Sequence, residues 1–127
     1  MVSETRFLLD SNICIYLLKN FSPALNDRVA HQNEETLFVS SISLAEIAVG
    51  YGAGVFDSPD LAGFLQEIPP LAFTDKAALI YGTLPFKRAK FDRLIAAHAV
   101  AEGMTLITNN EADFADVPGL QVENWTV

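Results

Sequence analysis

Four acidic side chains stand at or beside the ends of apolar stretches in this 127-residue chain. Asp10 closes Phe7-Leu8-Leu9, Glu46 follows Ser43-Leu44-Ala45, Asp92 precedes Leu94-Ile95-Ala96-Ala97, and Asp113 stands just before Phe114. Burying an unpaired charge costs several kcal/mol, about the stability margin of a small domain, so solubility alone does not explain these positions. Two carboxylates ~4 Å apart repel by about 4 kcal/mol at an effective dielectric near 20, a cost that a divalent cation removes. All the candidate donors are oxygens, which selects a hard ion such as Mg²⁺ or Mn²⁺ over zinc. One or two such ions, the latter ~3.5 to 4 Å apart, activate a water and stabilise the leaving oxygen of an in-line attack on a phosphodiester. Metal-assisted phosphodiester hydrolysis is the chemistry this set suits.

Each acid also has a plain structural role open to it. Asp10 and Asp92 can cap helices, for about 1 kcal/mol each. Ser43 and Glu46 have the spacing of a capping box, and Asp113 can cap or turn the loop around it. Four caps crowded at one sheet edge would repel one another, which returns the argument to a cation. His98 falls six residues after Asp92, about 240° around a helix, and so reads as a core or interface histidine and no metal ligand.

The elements that must position these acids alternate. "RFLLD" reads as a strand, and "SNICIYLL" as a helix with Asp10 or Ser11 as cap. "TLFVSS" is a second strand, followed by the helix "SLAEIAVGYG", which the glycines at 50 to 54 end. A middle helix with Phe64, Leu65 and Ile68 stops at Pro69-Pro70; Thr74 caps "DKAALIYGTL", which Pro85 closes. "FDRLIAAHAVAEG" is a helix ended by Gly103, "TLIT" a short strand and "LQVENW" the last. This pattern is α/β, a largely parallel sheet between helix layers. Sites in such folds lie at the carboxyl ends of strands, which groups Asp10, Ser40 to Ser43 and Thr108 to Asn110 at one edge.

The length gives one domain, residues 1–127, and half the residues are apolar, enough for one core. No apolar run reaches the roughly 18 residues of a membrane span, and the N-terminus lacks a basic, apolar leader. The single Cys14 excludes an internal disulfide framework, fits a reducing cytoplasm and reads as a buried hydrophobe. The net charge of -8 argues against a nucleic-acid partner until its distribution is considered. Lys87, Arg88, Lys90 and Arg93 fall within seven positions, and no Lys or Arg follows. This cluster beside Asp92 is a candidate phosphate-backbone contact; the alternative is a set of solvated loop charges.

"FLLDSNICIYLL", "SSISLAEIAVG", "FDRLIAAHAVAEGMTLITNNEADF" and "VPGLQVENW", in this order and spacing, resemble the PIN-domain nucleases, most closely the VapC toxins of toxin-antitoxin pairs. The resemblance implies a PIN-like three-layer α/β/α sandwich and an endoribonuclease using Mg²⁺ or Mn²⁺. It also implies a VapB-like antitoxin, an RNA substrate with tRNA the commonest, and a homodimer within a toxin-antitoxin hetero-oligomer. By position, Asp10, Glu46 and Asp92 match the first three acids of the family. The fourth place is contested between Asp113, which is favoured because some relatives use an acid just before the matching Phe, and Asn110, which stands where many relatives carry an acid and otherwise lines the site. Asn12 and Thr108 match polar positions that hydrogen-bond the acids. The connection "PFKRAK" is shorter than in many relatives, which bears on substrate choice.

Two other classes compete. A catalytically silent PIN-like binding or inhibitory module would keep the fold without the chemistry. A phosphoacceptor signalling domain would need an acidic pair after the first strand and a late Lys, whereas Ser11 and Asn12 follow Asp10 and no Lys follows Lys90. A haloacid-dehalogenase-like phosphatase would need a second Asp at position 12.

Overall fold

The computed structural model describes residues 4–85 and 90–127, without the side chain of Lys90. Strand β1 (Phe7–Leu9) is buried along its whole length, as a parallel strand covered on both faces must be. Its side chains alternate between two cores. Phe7 and Leu9 pack with Ile13, Leu25, Ile47 and Leu61, and Trp125 meets Phe7 edge-on at 4.8 Å between ring centroids. Leu8 packs on the opposite side with Ile95, Ala99, Met104 and Phe114.

The remaining strands are β2 (Leu37–Ser40), β3 (Pro70–Leu71), β4 (Thr105–Ile107) and β5 (Gln121–Glu123). Their spatial order is β3-β2-β1-β4-β5, and every pairing is parallel. Helices α1 (Ser11–Lys19), α2 (Pro23–Ala30), α3 (Ser41–Tyr51) and α4 (Pro59–Glu67) connect β1 to β2 and β2 to β3 and cover the first core. Helices α5 (Asp75–Tyr81) and α6 (Lys90–Glu102) lead into β4, with α6 on the second core. The three-layer α/β/α reading is therefore met, with a sheet that is wholly parallel.

Chain order explains where a site forms. From β1 the chain steps one way to β2 and β3, then returns to place β4 on the other side of β1. Because crossovers are right-handed, that reversal moves the connecting helices to the opposite face. The carboxyl ends of β1 and β4 border the resulting crevice, where open α/β sheets bind ligands. Register levels the two ends: Leu9 pairs with Ile107, so Asp10 and Thr108 leave the sheet side by side.

Two elements lie beyond the sequence expectations. Ser22 caps α2 by accepting the Leu25 amide at 3.2 Å, with Pro23 in the first helical position. Pro69-Pro70 stops α4, as expected, but also enters the sheet: the Val39 amide donates to the Pro69 carbonyl at 3.1 Å. Proline is tolerated there because β3 is an edge strand. Helix α5 ends at Tyr81, four residues before Pro85, and tight turns carry the chain on from there.

Candidate active site

Asp10 leaves β1 extended and immediately caps α1, its Oδ1 accepting the Ile13 amide at 2.9 Å. The Thr108 hydroxyl hydrogen-bonds the same carboxylate and accepts the Asn110 amide at 3.1 Å. The cap and the site are thus one residue. Burial pushes the Asp10 carboxyl from 3.8 to about 6; the Thr108 and Ile13 hydrogen bonds oppose this, and the charges of Asp92 and Glu46 add to it.

Glu46 sits in the second turn of α3, and the capping box with Ser43 does not form. Helix α3 begins three residues earlier than that box requires, because β2 runs straight into it and Ser40 caps it through the Ile42 amide at 3.1 Å. Glu46 instead accepts a 2.6 Å hydrogen bond from the Ser11 hydroxyl, across the α1–α3 interface. Ser11 is a site residue that sequence reasoning considered only as a cap.

Asp92 lies in the first turn of α6 rather than at its cap. Gly103, at φ +65°, ends α6 and turns the chain directly into β4. The helix therefore runs antiparallel to the strand, which returns Asp92 to the edge carrying Asp10. Burial raises the Asp92 pKa, Glu46 and Asp113 raise it further, and the Arg93 charge lowers it.

Asp113 belongs to a 3-10 turn, Glu111–Phe114, anchored by the buried Phe114. The two candidates for the fourth place are bonded to each other, Asn110 Nδ2 donating to Asp113 Oδ2 at 2.5 Å. Asn12 is exposed on the first turn of α1.

The basic cluster needs correction at Arg93. Its side chain is turned inward and only 6% exposed, with Nη1 2.8 Å from Asp116 and Nη2 donating to the Asp113 carbonyl at 3.1 Å. The Asp116 carboxylate and a backbone carbonyl hold it inward, so Arg93 is no surface phosphate contact. Lys87, Arg88 and the Lys90 side chain, together with most of the short "PFKRAK" connection, lie outside the described residues.

His98 is fully buried and faces away from the acids. Its Nδ1 is 2.8 Å from the Ser40 hydroxyl, its ring meets Phe73 edge-on, and burial lowers its pKa. Cys14 is fully buried, and burial raises its thiol pKa, as an inert core residue requires.

The donor chemistry fits a hard divalent cation. Burial raises the pKa of both Asp10 and Asp92, with Asp92 and Glu46 adding to the first and Glu46 and Asp113 to the second, and Arg93, the cation beside Asp92, is bound to Asp116. Among the described residues no three carboxylates, thiols or imidazoles close around one coordination point. The acids share a field, and their mutual repulsion is what an ion would relieve. Beside Glu46 opens a groove of about 410 Å³, walled by Ile15, Leu18, Ile47 and Tyr51 and bearing a second carboxylate, Asp60, and one cation, Lys19.

Residues 7–120 match the PIN domain model. The chain belongs to the PIN-domain family. Within that family its relatives are VapC proteins. It is 30% identical to the tRNA(fMet)-specific endonuclease VapC of Salmonella typhimurium, the alignment covering 94% of this chain and 98% of the relative. It is 33% identical to ribonuclease VapC2 of Rickettsia felis, over 94% and 97%. The PIN fold also superposes on VapBC from Salmonella typhimurium solved bound to DNA, with a TM-score of 0.80, 29% identity and coverage of 96% and 99%. Among the described residues no helix is long and apolar enough to cross a membrane.

Proposed function

We propose that this PIN-domain protein is a metal-dependent endoribonuclease toxin of the VapC type, neutralised by a VapB-like antitoxin. The observation that carries the reading is the shared electrostatic environment of Asp10, Glu46, Asp92 and Asp113, contributed by four separate elements. Asp10, Glu46, Asp92 and Asp113 would hold Mg²⁺, or Mn²⁺ in its place, and the bound ion would supply an activated water and charge neutralisation at the scissile phosphate. Asp10 is kept in one rotamer by Ile13 and Thr108, and Glu46 by Ser11. Held this way, these two carboxylates would be oriented in advance for an ion. No side chain is needed as general base. The relatives named tRNA(fMet)-specific endonucleases make tRNA the first substrate to test.

The groove beside Glu46 supports the antitoxin reading. Its apolar walls suit an amphipathic segment, and its carboxylates suit a basic residue that would enter the acidic cluster and substitute for the metal's charge. Expressed alone, the chain is expected to cleave RNA in Mg²⁺ and to stop when the metal is chelated. Asp92→Ala is expected to abolish cleavage while remaining folded by circular dichroism. Retained cleavage of total RNA by Asp92→Ala, with ends mapped by sequencing, would overturn the mechanism and leave a silent binding module as the better reading.

A further inference from the structure

We propose that Arg93 is a positioning residue that fixes the spacing between the third and fourth acids by clamping the turn that carries Asp113 onto the start of α6. The consequence for metal rests on the ribonuclease reading above; the clamp rests on geometry. Asp113 is exposed, so no core packing holds its carboxylate; the Asn110 amide bonds it, and its place otherwise follows from the backbone of Glu111–Phe114. That backbone is fixed from below by Phe114 and Val117 in the second core. From the side it is fixed by Arg93, whose guanidinium takes the Asp113 carbonyl at 3.1 Å and the Asp116 carboxylate at 2.8 Å. Arg93 follows Asp92 directly on α6, so one rigid fork links the residue beside the third acid to the peptide of the fourth. A buried arginine needs such partners to offset its desolvation, and the planar, two-sided grip is one that lysine cannot reproduce.

Bare electrostatics and the clamp predict opposite signs. Removing a positive charge beside a cation site should by itself tighten cation binding, whereas releasing Asp113 should weaken it. The test is Mn²⁺ titration calorimetry on the RNA-free protein, with amide exchange over residues 111–117. Arg93→Gln is expected to bind Mn²⁺ about tenfold more weakly, with Arg93→Lys in between, and to exchange faster over the turn. In an Asp113→Asn background the same Arg93→Gln change is expected to cost nothing further, since the clamp acts through Asp113. If Arg93→Gln does not fold, Asp116→Asn replaces it, with the same faster exchange and the same non-additivity with Asp113→Asn expected. Unchanged or tighter Mn²⁺ binding by Arg93→Gln, or equal losses in both backgrounds, would overturn the inference. A wild-type chain that binds no Mn²⁺ would instead bring down the ribonuclease reading and this consequence with it.

Discussion

Asp10 caps α1 through Ile13 while burial and two neighbouring acids raise its pKa to about 6, so the metal-free protein carries an ill-solvated charge at neutral pH. Between its ordinary value of 3.8 and about 6 the folded form binds more protons than the unfolded chain, so stability falls as pH rises through that window. The shift corresponds to about 3 kcal/mol. Asp10→Asn keeps an oxygen for the cap and removes the charge. In chelator it is expected to melt higher than wild type at neutral pH, the gap closing toward pH ~4, while cleavage is lost and Mg²⁺ no longer raises the melting temperature. A melting difference that does not vary with pH would show that the carboxylate is not strained. Residue types at strand ends made Asp10 and Thr108 legible, because parallel register leaves little choice about where they emerge. Arg93 was misread because a sequence shows that a charge is present and not which way it turns; Asp116, which decides that, lies 23 positions away.

Helix α1 does more than carry the residue after Asp10, since Ser11 reaches across to Glu46 on α3 at 2.6 Å. A hydrogen bond to a charged group is worth about 1.5 to 3 kcal/mol, so Ser11→Ala is expected to lower kcat/KM by roughly tenfold or more, with Ser11→Thr restoring most of it. Equal loss in Ala and Thr variants would point to packing instead. Farther along α1, Leu18 is one of the apolar residues that line the groove beside Glu46. Leu18→Lys is expected to weaken antitoxin binding by about tenfold, the transfer cost of one buried aliphatic side chain, with free-toxin cleavage unchanged. A pull-down with both proteins and a cleavage assay on the toxin alone separate the two effects. Helical spacing and caps made α1, α5 and α6 readable. Helix α3 was readable in type and C-terminal end but not in its start or capping, because Ser40, Ser41 and Ser43 all offer caps and only the end of β2 selects Ser40. Two-residue β3 carries no periodicity of its own; its partner Val39-Ser40 defines it.

At the scale of the molecule the net charge of -8 would repel an RNA backbone and would attract a basic partner such as the proposed antitoxin. Antitoxin affinity is expected to fall steeply as salt is raised, while RNA cleavage at fixed Mg²⁺ falls less; salt-independent antitoxin binding would mean that the apolar walls of the groove carry the complex alone. Fold class and family were legible because the spacing of whole segments encodes them, whereas the crevice depends on strand order, which no local window contains. That order also has a bearing on synthesis. Strand β1 is synthesised before the other four strands of this sheet, yet one of its two neighbours is β4, beginning at Thr105, and Thr108 follows that strand. A prematurely terminated product that stops short of this point retains Asp10, Glu46 and Asp92 but has no second wall to the crevice. If the chain is the toxin proposed above, placing the first acid on the central strand makes its activity contingent on synthesis through β4, a safeguard set by topology independently of any inhibitor.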